Sequence, residues 1–181
     1  MTNDVDSAKI APRPPAESQV SVGPNRRGEY EVSDGRRTYA FDGYHLAHVS
    51  SQRSLSPRWV EFDIYRTTGG RYVVSRKGAS LLFHTLACDV VKRNNPILGQ
   101  PGPDRVPCDV CRPNPDEDTI VLEINREWAT ITPGADGVVE ALARYDDAGA
   151  RYLTNVARRA LEMASKYDSA IRAAYEVEFL Y

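Results

Sequence analysis

All three cysteines of this chain of 181 residues lie between positions 88 and 111, and a histidine stands just ahead of them. The order is His84-x3-Cys88, nineteen residues, then Cys108-x2-Cys111. Two short ligand pairs each close half of a tetrahedron locally, and three thiolates with one imidazole suit Zn²⁺ better than oxygen-seeking ions. This spacing constrains the fold strongly, because the loop between the pairs must bring both to one point. Four protein ligands leave no open coordination position, so the expected zinc is structural. The competing reading is three buried, reduced cysteines that happen to be neighbours. Two features weigh against it: no cysteine lies outside the cluster, and Pro107-Cys108-Asp109-Val110-Cys111 has the form of a knuckle turn.

The strings Phe83-His84-Thr85-Leu86-Ala87-Cys88 and Val106-Pro107-Cys108-Asp109-Val110-Cys111-Arg112-Pro113 resemble the zinc module of Ada-type DNA-repair proteins and of tails on some micrococcal-nuclease-like enzymes. The match covers about residues 71–113. It departs from the module in the segment between the pairs, where Asn94, Asn95, Pro96, Gly99, Pro101, Gly102 and Pro103 spell a loop in place of a helix-like linker. The modules that accept methyl groups use four cysteines, whereas His84 holds one position here, so the resemblance implies metal binding without methyl transfer. It also implies the company of nucleic acid and a bacterial or phage source. A weaker resemblance links Phe41-x-Gly43-x2-Leu46 and Tyr65-Arg66-Thr67-x2-Gly70-x-Tyr72-Val73-Val74 to small EXLDI-type bacterial proteins.

Charge is distributed unevenly along the chain. Residues 1–70 are balanced. Residues 71–113 carry seven basic side chains (Arg71, Arg76, Lys77, Lys92, Arg93, Arg105 and Arg112) against Asp89, Asp104 and Asp109, a net +4. Residues 114–181 carry −6, which brings the total to −2. Zn²⁺ on three thiolates would lower the middle segment by about one charge. The metal module is therefore the basic part of an acidic protein, and those seven cations are the candidate contacts to a DNA or RNA backbone. Alternatively they are solvated charges partly paired with the acidic C-terminal region. Met1 to Lys9 carries acids and no apolar core of a secretory signal, and no apolar run approaches a membrane span, so the expectation is a cytoplasmic protein.

The pattern of elements predicts an α+β fold, an antiparallel β-meander with an inserted zinc knuckle and a C-terminal helical segment. Residues 1–27, with four prolines and no periodicity, read as a disordered tail. Residues 28–83 read as the sheet, with a hairpin at Asp34-Gly35, a break at Gly43 and a clear strand from Trp59 to Arg66. Lys77-Gly78 reads as a turn toward a last strand that delivers His84. Residues 84–113 form the knuckle, and 114–181 a strand at Thr119 to Ile124, a turn-rich stretch from Trp128 to Gly134, and helices. Leu153, Val156, Ala157, Ala160, Leu161 and Ala164 have the spacing of a core-facing helical stripe. Asp136 and Asp168 stand where helices would start.

No catalytic constellation is complete. His45 and His48, three apart on a strand, should face opposite sides of the sheet, one packed and one exposed. Glu61 and Asp63 read as a solvated strand face, and Asp116-Glu117-Asp118 as a solvated loop. The serines at 50, 51, 54 and 56 lack an elbow or a base. The expectation is a non-catalytic zinc protein associated with nucleic acid through the basic module. The alternative is a protein-interaction subunit whose zinc is purely structural and whose acidic helical end docks a partner.

Overall fold

The computed structural model describes residues 25–93, 97–100, 102–113 and 120–179, apart from the side chains of 92, 93, 178 and 179. The predicted tail lies outside the described residues up to position 24, and pairing begins at Arg26, three residues before the expected Glu29. Five strands form the main sheet: β1 (Arg26–Ser33), β2 (Thr38–Ser50), β3 (Arg58–Thr67), β4 (Tyr72–Ser80) and β9 (Arg126–Thr132), in the order β1-β2-β3-β4-β9, every pair antiparallel.

The expected α+β meander is present, with three differences that share a cause. Gly43 does not end a strand. A Cβ there would collide with the carbonyl oxygen of Arg66, so glycine is what lets β2 run past β3 unbroken. Lys77-Gly78 is not a turn, because Lys77 lies in register between Glu61 and Glu127, whose opposite charges suit a continuous strand. The stretch from Trp128 is β9 rather than turns. Each local signal for a break is overruled by pairing with a strand remote in sequence. The β1–β2 loop spans Asp34 to Arg37 rather than two residues. Asp34 Oδ1 accepts from the N–H groups of Arg36 (2.8 Å) and Arg37 (2.7 Å), and Gly35 takes a φ of 85°.

Three helices cover one face of the sheet: α1 (Ala135–Leu142), α2 (Asn155–Ala164) and α3 (Ser169–Phe179). Between α1 and α2 lies a small hairpin of β10 (Arg144–Tyr145) and β11 (Arg151–Tyr152). The main core lies between sheet and helices, where Leu46, Ile64 and Val74 meet Val138, Val139, Leu153, Leu161 and Ile171. The predicted stripe on α2 is core: Ala157, Ala160, Leu161 and Ala164 have no exposed surface, while Arg158 and Glu162 are exposed. Thr154 caps α2 through the Ala157 N–H, 3.3 Å away. Asp168 caps α3 through Ala170 and Ile171, each at 3.0 Å, and also accepts from the Tyr72 hydroxyl. Gly134, rather than Asp136, is the N-cap of α1.

The other face of the sheet curls until β1 nears β9, enclosing a second, aromatic core of Val32, Tyr65 and Val73 with Tyr30, Tyr39 and Phe41. Its rim holds one packed and one exposed histidine as expected, but not on opposite sides of the sheet. Pairing between β2 and β3 slips between His45 and Ala47, and such a bulge turns both histidines to one side. His45 Nε2 and His48 Nδ1 each lie 2.9 Å from Asp63 Oδ1. His45 is buried and stacks on Tyr65, with ring centroids 4.7 Å apart, while His48 is exposed. Asp63 is therefore part of a hydrogen-bonded trio and not a merely solvated carboxylate.

Candidate metal centre

The chain leaves the main sheet at the end of β4 and returns to it at β9, the neighbouring strand. The excursion between them is the metal module. It has a small sheet of β5 (Leu82–Thr85), β6 (Ile97–Gly99), β7 (Val106–Pro107) and β8 (Ile120–Leu122) in the order β6-β8-β5-β7, with a 3-10 turn at Asp89–Arg93. His84 lies on β5 of this second sheet, paired with Val121, rather than at the end of the meander. Cys88 is drawn back by its N–H to the Thr85 carbonyl (3.0 Å). The second pair is held against the same strand, since Cys108 N–H donates to Phe83 O (3.0 Å) and the knuckle closes through Cys111 N–H to Cys108 O (3.0 Å).

His84, Cys88, Cys108 and Cys111 come together as one buried cluster, their ligand atoms all within 4.8 Å of one another, able to hold a metal ion such as zinc. Cys88 Sγ lies 3.6 Å from His84 Nδ1 and 3.9 Å from Cys108 Sγ, and Cys108 Sγ lies 3.5 Å from Cys111 Sγ. A tetrahedron with metal–sulfur bonds of about 2.3 Å has edges of roughly 3.8 Å, so the donors stand at nearly the required spacing. Thr85 supports Cys111 with its N–H at 3.4 Å and its hydroxyl at 3.6 Å. Burial works against a thiolate at Cys111, but the Thr85 contacts and the neighbouring thiols outweigh it and hold the group below an ordinary thiol. At Cys88 burial dominates and pushes the thiol up to about 11.

Sequence reasoning missed two residues. Glu123, just past β8, places Oε1 3.8 Å from His84 Nε2, the ring nitrogen opposite the one facing the sulfurs. Arg58 of β3 holds that carboxylate through its guanidinium, with Nε at 3.0 Å from Oε2, and this pairing pulls Glu123 down to about 2. At 3.8 Å the carboxylate makes no hydrogen bond to the His84 ring, but its charge stands behind an imidazole that would ligate metal, where such groups tune affinity. Arg58 also ties the module to the body. Nothing in the local spacing could have flagged either residue, since Glu123 and Arg58 are both remote from His84 in sequence and lie on opposite sides of it.

Of the seven candidate cations, the five whose side chains are described do not gather. Arg71 precedes β4, at the end opposite the module. Arg76 and Lys77 are consecutive on β4 and so face opposite sides of the sheet. Arg105 donates to Ser80 O at 3.1 Å, and Arg112 pairs with Asp109 at 3.2 Å. The side chains of Lys92 and Arg93, like the Asp116-Glu117-Asp118 run, lie outside the described residues. Compared with known proteins, the chain matches no family model, no curated protein and no solved structure. The Ada-type and EXLDI resemblances therefore rest on their motifs alone. Among the described residues no helix is long and apolar enough to cross a membrane.

Proposed function

We propose that this is a non-catalytic binding protein in which one zinc ion, held by His84, Cys88, Cys108 and Cys111, staples the excursion between β4 and β9 and keeps its surface in shape for a protein partner. The observation that carries this reading is the surface of the stapled module. Leu86, Val90, Leu98, Val110 and Ile124 are each at least half exposed although they sit on a small scaffold with little core. A contiguous patch of exposed apolar side chains marks an interaction site, and five such side chains fall on this one module. The acidic helical end is a poorer candidate for docking, because its apolar stripe is spent on the core.

Changing Leu98 and Val110 together to Asp tests it. Both lie outside the ligand set, so zinc content should hold while a complex isolated with the full chain from its own host is lost. If the wild-type chain is recovered alone, or the double variant keeps the complex, the reading fails. Association with nucleic acid is the second reading, favoured by the net +4 of residues 71–113. It requires binding that weakens with salt, with a slope of log K near −0.9 per neutralised phosphate on duplex DNA.

A further inference from the structure

Three arginines remote in sequence meet on the helix-facing side of the sheet at its β9 edge. Arg76 of β4 pairs in register with Trp128 of β9, and Gly78 with Arg126, so Arg76, Arg126 and Trp128 project from one face. A Cβ at Gly78 would stand 3.7 Å from Arg126 Cβ, so glycine leaves room beside that side chain. Arg144 follows α1, which packs on β4 and β9, and lies near enough to repel Arg76.

The cluster lacks counter-charge. Arg76 Nε is buried and makes no hydrogen bond, and among the described residues none of the three arginines forms an ion pair. Burial, and then repulsion from Arg144 and Arg126, lowers the affinity of Arg76 for its proton. The nearby acids are committed elsewhere. Glu127 faces the other side of the sheet beside Lys77, Glu140 takes the Tyr145 hydroxyl and Arg151, and Asp146 Oδ1 accepts the N–H groups of Ala148 and Ala150. Like charges held together around an unsatisfied buried donor cost stability unless an anion joins them.

We propose that Arg76, Arg126 and Arg144, with Trp128, form a binding site for a single strand of nucleic acid, one phosphate lodging among the guanidiniums and a base stacking on the indole. Guanidiniums offer forked donors to phosphate oxygens. Trp128 is 38% exposed on the same face, and an aromatic ring beside basic side chains is the usual platform for an unpaired base. β9 ends the hydrogen-bonded order of the sheet, and Arg126 and Trp128 are exposed on its helix-facing side, so a chain of nucleotides can lie along that side. This site rests on the nucleic-acid reading, but it places the contact on the body and takes from the seven module cations only Arg76.

The test titrates a short labelled deoxythymidine oligonucleotide and a thymidine mononucleotide into the full chain, and follows melting in inorganic phosphate against chloride at matched ionic strength. Wild type should bind the oligonucleotide more tightly than the mononucleotide and melt higher in phosphate. With Arg126→Glu and Arg144→Glu combined, oligonucleotide binding should weaken by at least about tenfold and the salt slope should flatten by roughly 0.7, for the one phosphate lost. The same variant should lose the phosphate effect yet melt no lower than wild type in chloride, because repulsion at Arg76 is relieved. Trp128→Ala should weaken the oligonucleotide about tenfold and keep the phosphate effect.

If wild type binds and these variants bind equally well while Arg71→Glu with Arg112→Glu does not, this site is wrong and the module reading stands. If wild type responds to neither nucleic acid nor phosphate, both are wrong. A mononucleotide bound as tightly as the oligonucleotide overturns the strand as ligand. A phosphate effect that appears only after Asp116, Glu117 and Asp118 are neutralised to Asn, Gln and Asn would mean that the chain's own acids fill the cluster, which also overturns the proposal.

Discussion

In the sheet-and-helix body, Ile64, Val74, Leu161 and Ile171 have no exposed surface and belong to one continuous core. In the metal module the corresponding cluster is Leu82 and the three cysteines, with Val91 partly buried beside them. Burying a Leu or Ile side chain contributes about 1.5–3 kcal/mol, so the body can hold itself by apolar burial alone. The module adds only Phe83, Ile120 and Val121 to that cluster, fewer than the body buries, and its backbone hydrogen bonds converge on His84 and the cysteines instead. Topology makes the separation physical. The module is inserted between two strands that pair with each other in the sheet. Opening it lengthens a loop without unpairing β4 from β9, and loop closure costs rise only slowly with length.

Removing the proposed zinc should break this comparison most forcefully. Structural zinc supplies apparent binding free energies of roughly 10–16 kcal/mol in small modules, more than this cluster can replace. Chelation, or Cys108→Ser, is expected to abolish protection from hydrogen exchange at the amides of Cys108, Val106 and Glu123, which bond to Phe83, Leu81 and Leu82. The amides shared by β3 and β4 should stay protected. Simultaneous loss of both sets would show that the module and body unfold as one unit.

Leu161→Ala attacks the other side of the comparison. It empties a fully buried site beneath the sheet and should cost about 2–5 kcal/mol in denaturant unfolding. Zinc content in the native state should be unaltered, and a variant that lost zinc before it lost the sheet would contradict the division of forces.

Glu123→Gln sharpens the boundary between the two. It removes charge from behind His84 and the partner of Arg58, so zinc affinity should fall about 10–100-fold, the usual effect of disturbing the group behind a ligating imidazole. Competition with a chromophoric chelator measures it. An unchanged affinity would reduce Glu123 to a tether between module and body.

The legibility of the chain follows the same boundary. His84, Cys88, Cys108 and Cys111 could be read from spacing because metal ligation needs residue types at short intervals. The α2 stripe from Leu153 to Ala164 was equally plain, because helical periodicity is local. What stayed hidden depends on partners far along the chain. β9 carries little alternation of its own and is a strand because β4 lies beside it. Gly43 and Gly78 look like breaks until the neighbouring strand is in place. The bulge at Leu46 leaves no mark in composition, yet it moves His45 to the side of His48.

That bulge carries the smallest expected effect, and it belongs wholly to the body. Burial pushes the Asp63 carboxyl up, but hydrogen bonds from His45 and His48 outweigh it and hold it below the ordinary value of 3.8. His48 is raised above its ordinary 6.5, chiefly by its bond to Asp63. A depressed carboxyl contributes stability that is present above its unfolded value and is lost as pH falls through the folded one. A raised histidine contributes stability that is complete below its unfolded value and is lost as pH rises through the folded one. The two windows overlap between about pH 4 and pH 6.5. There Asp63→Asn should cost most, about 1 kcal/mol, because His48 is half exposed and solvent screens the pair. Denaturant unfolding across pH should show the gap between wild type and Asp63→Asn narrowing on both sides of that window. His48→Gln should remove only the alkaline limb. A gap that does not change with pH would mean that the trio acts through packing, and that the aromatic core beneath it, not charge, holds this end of the sheet.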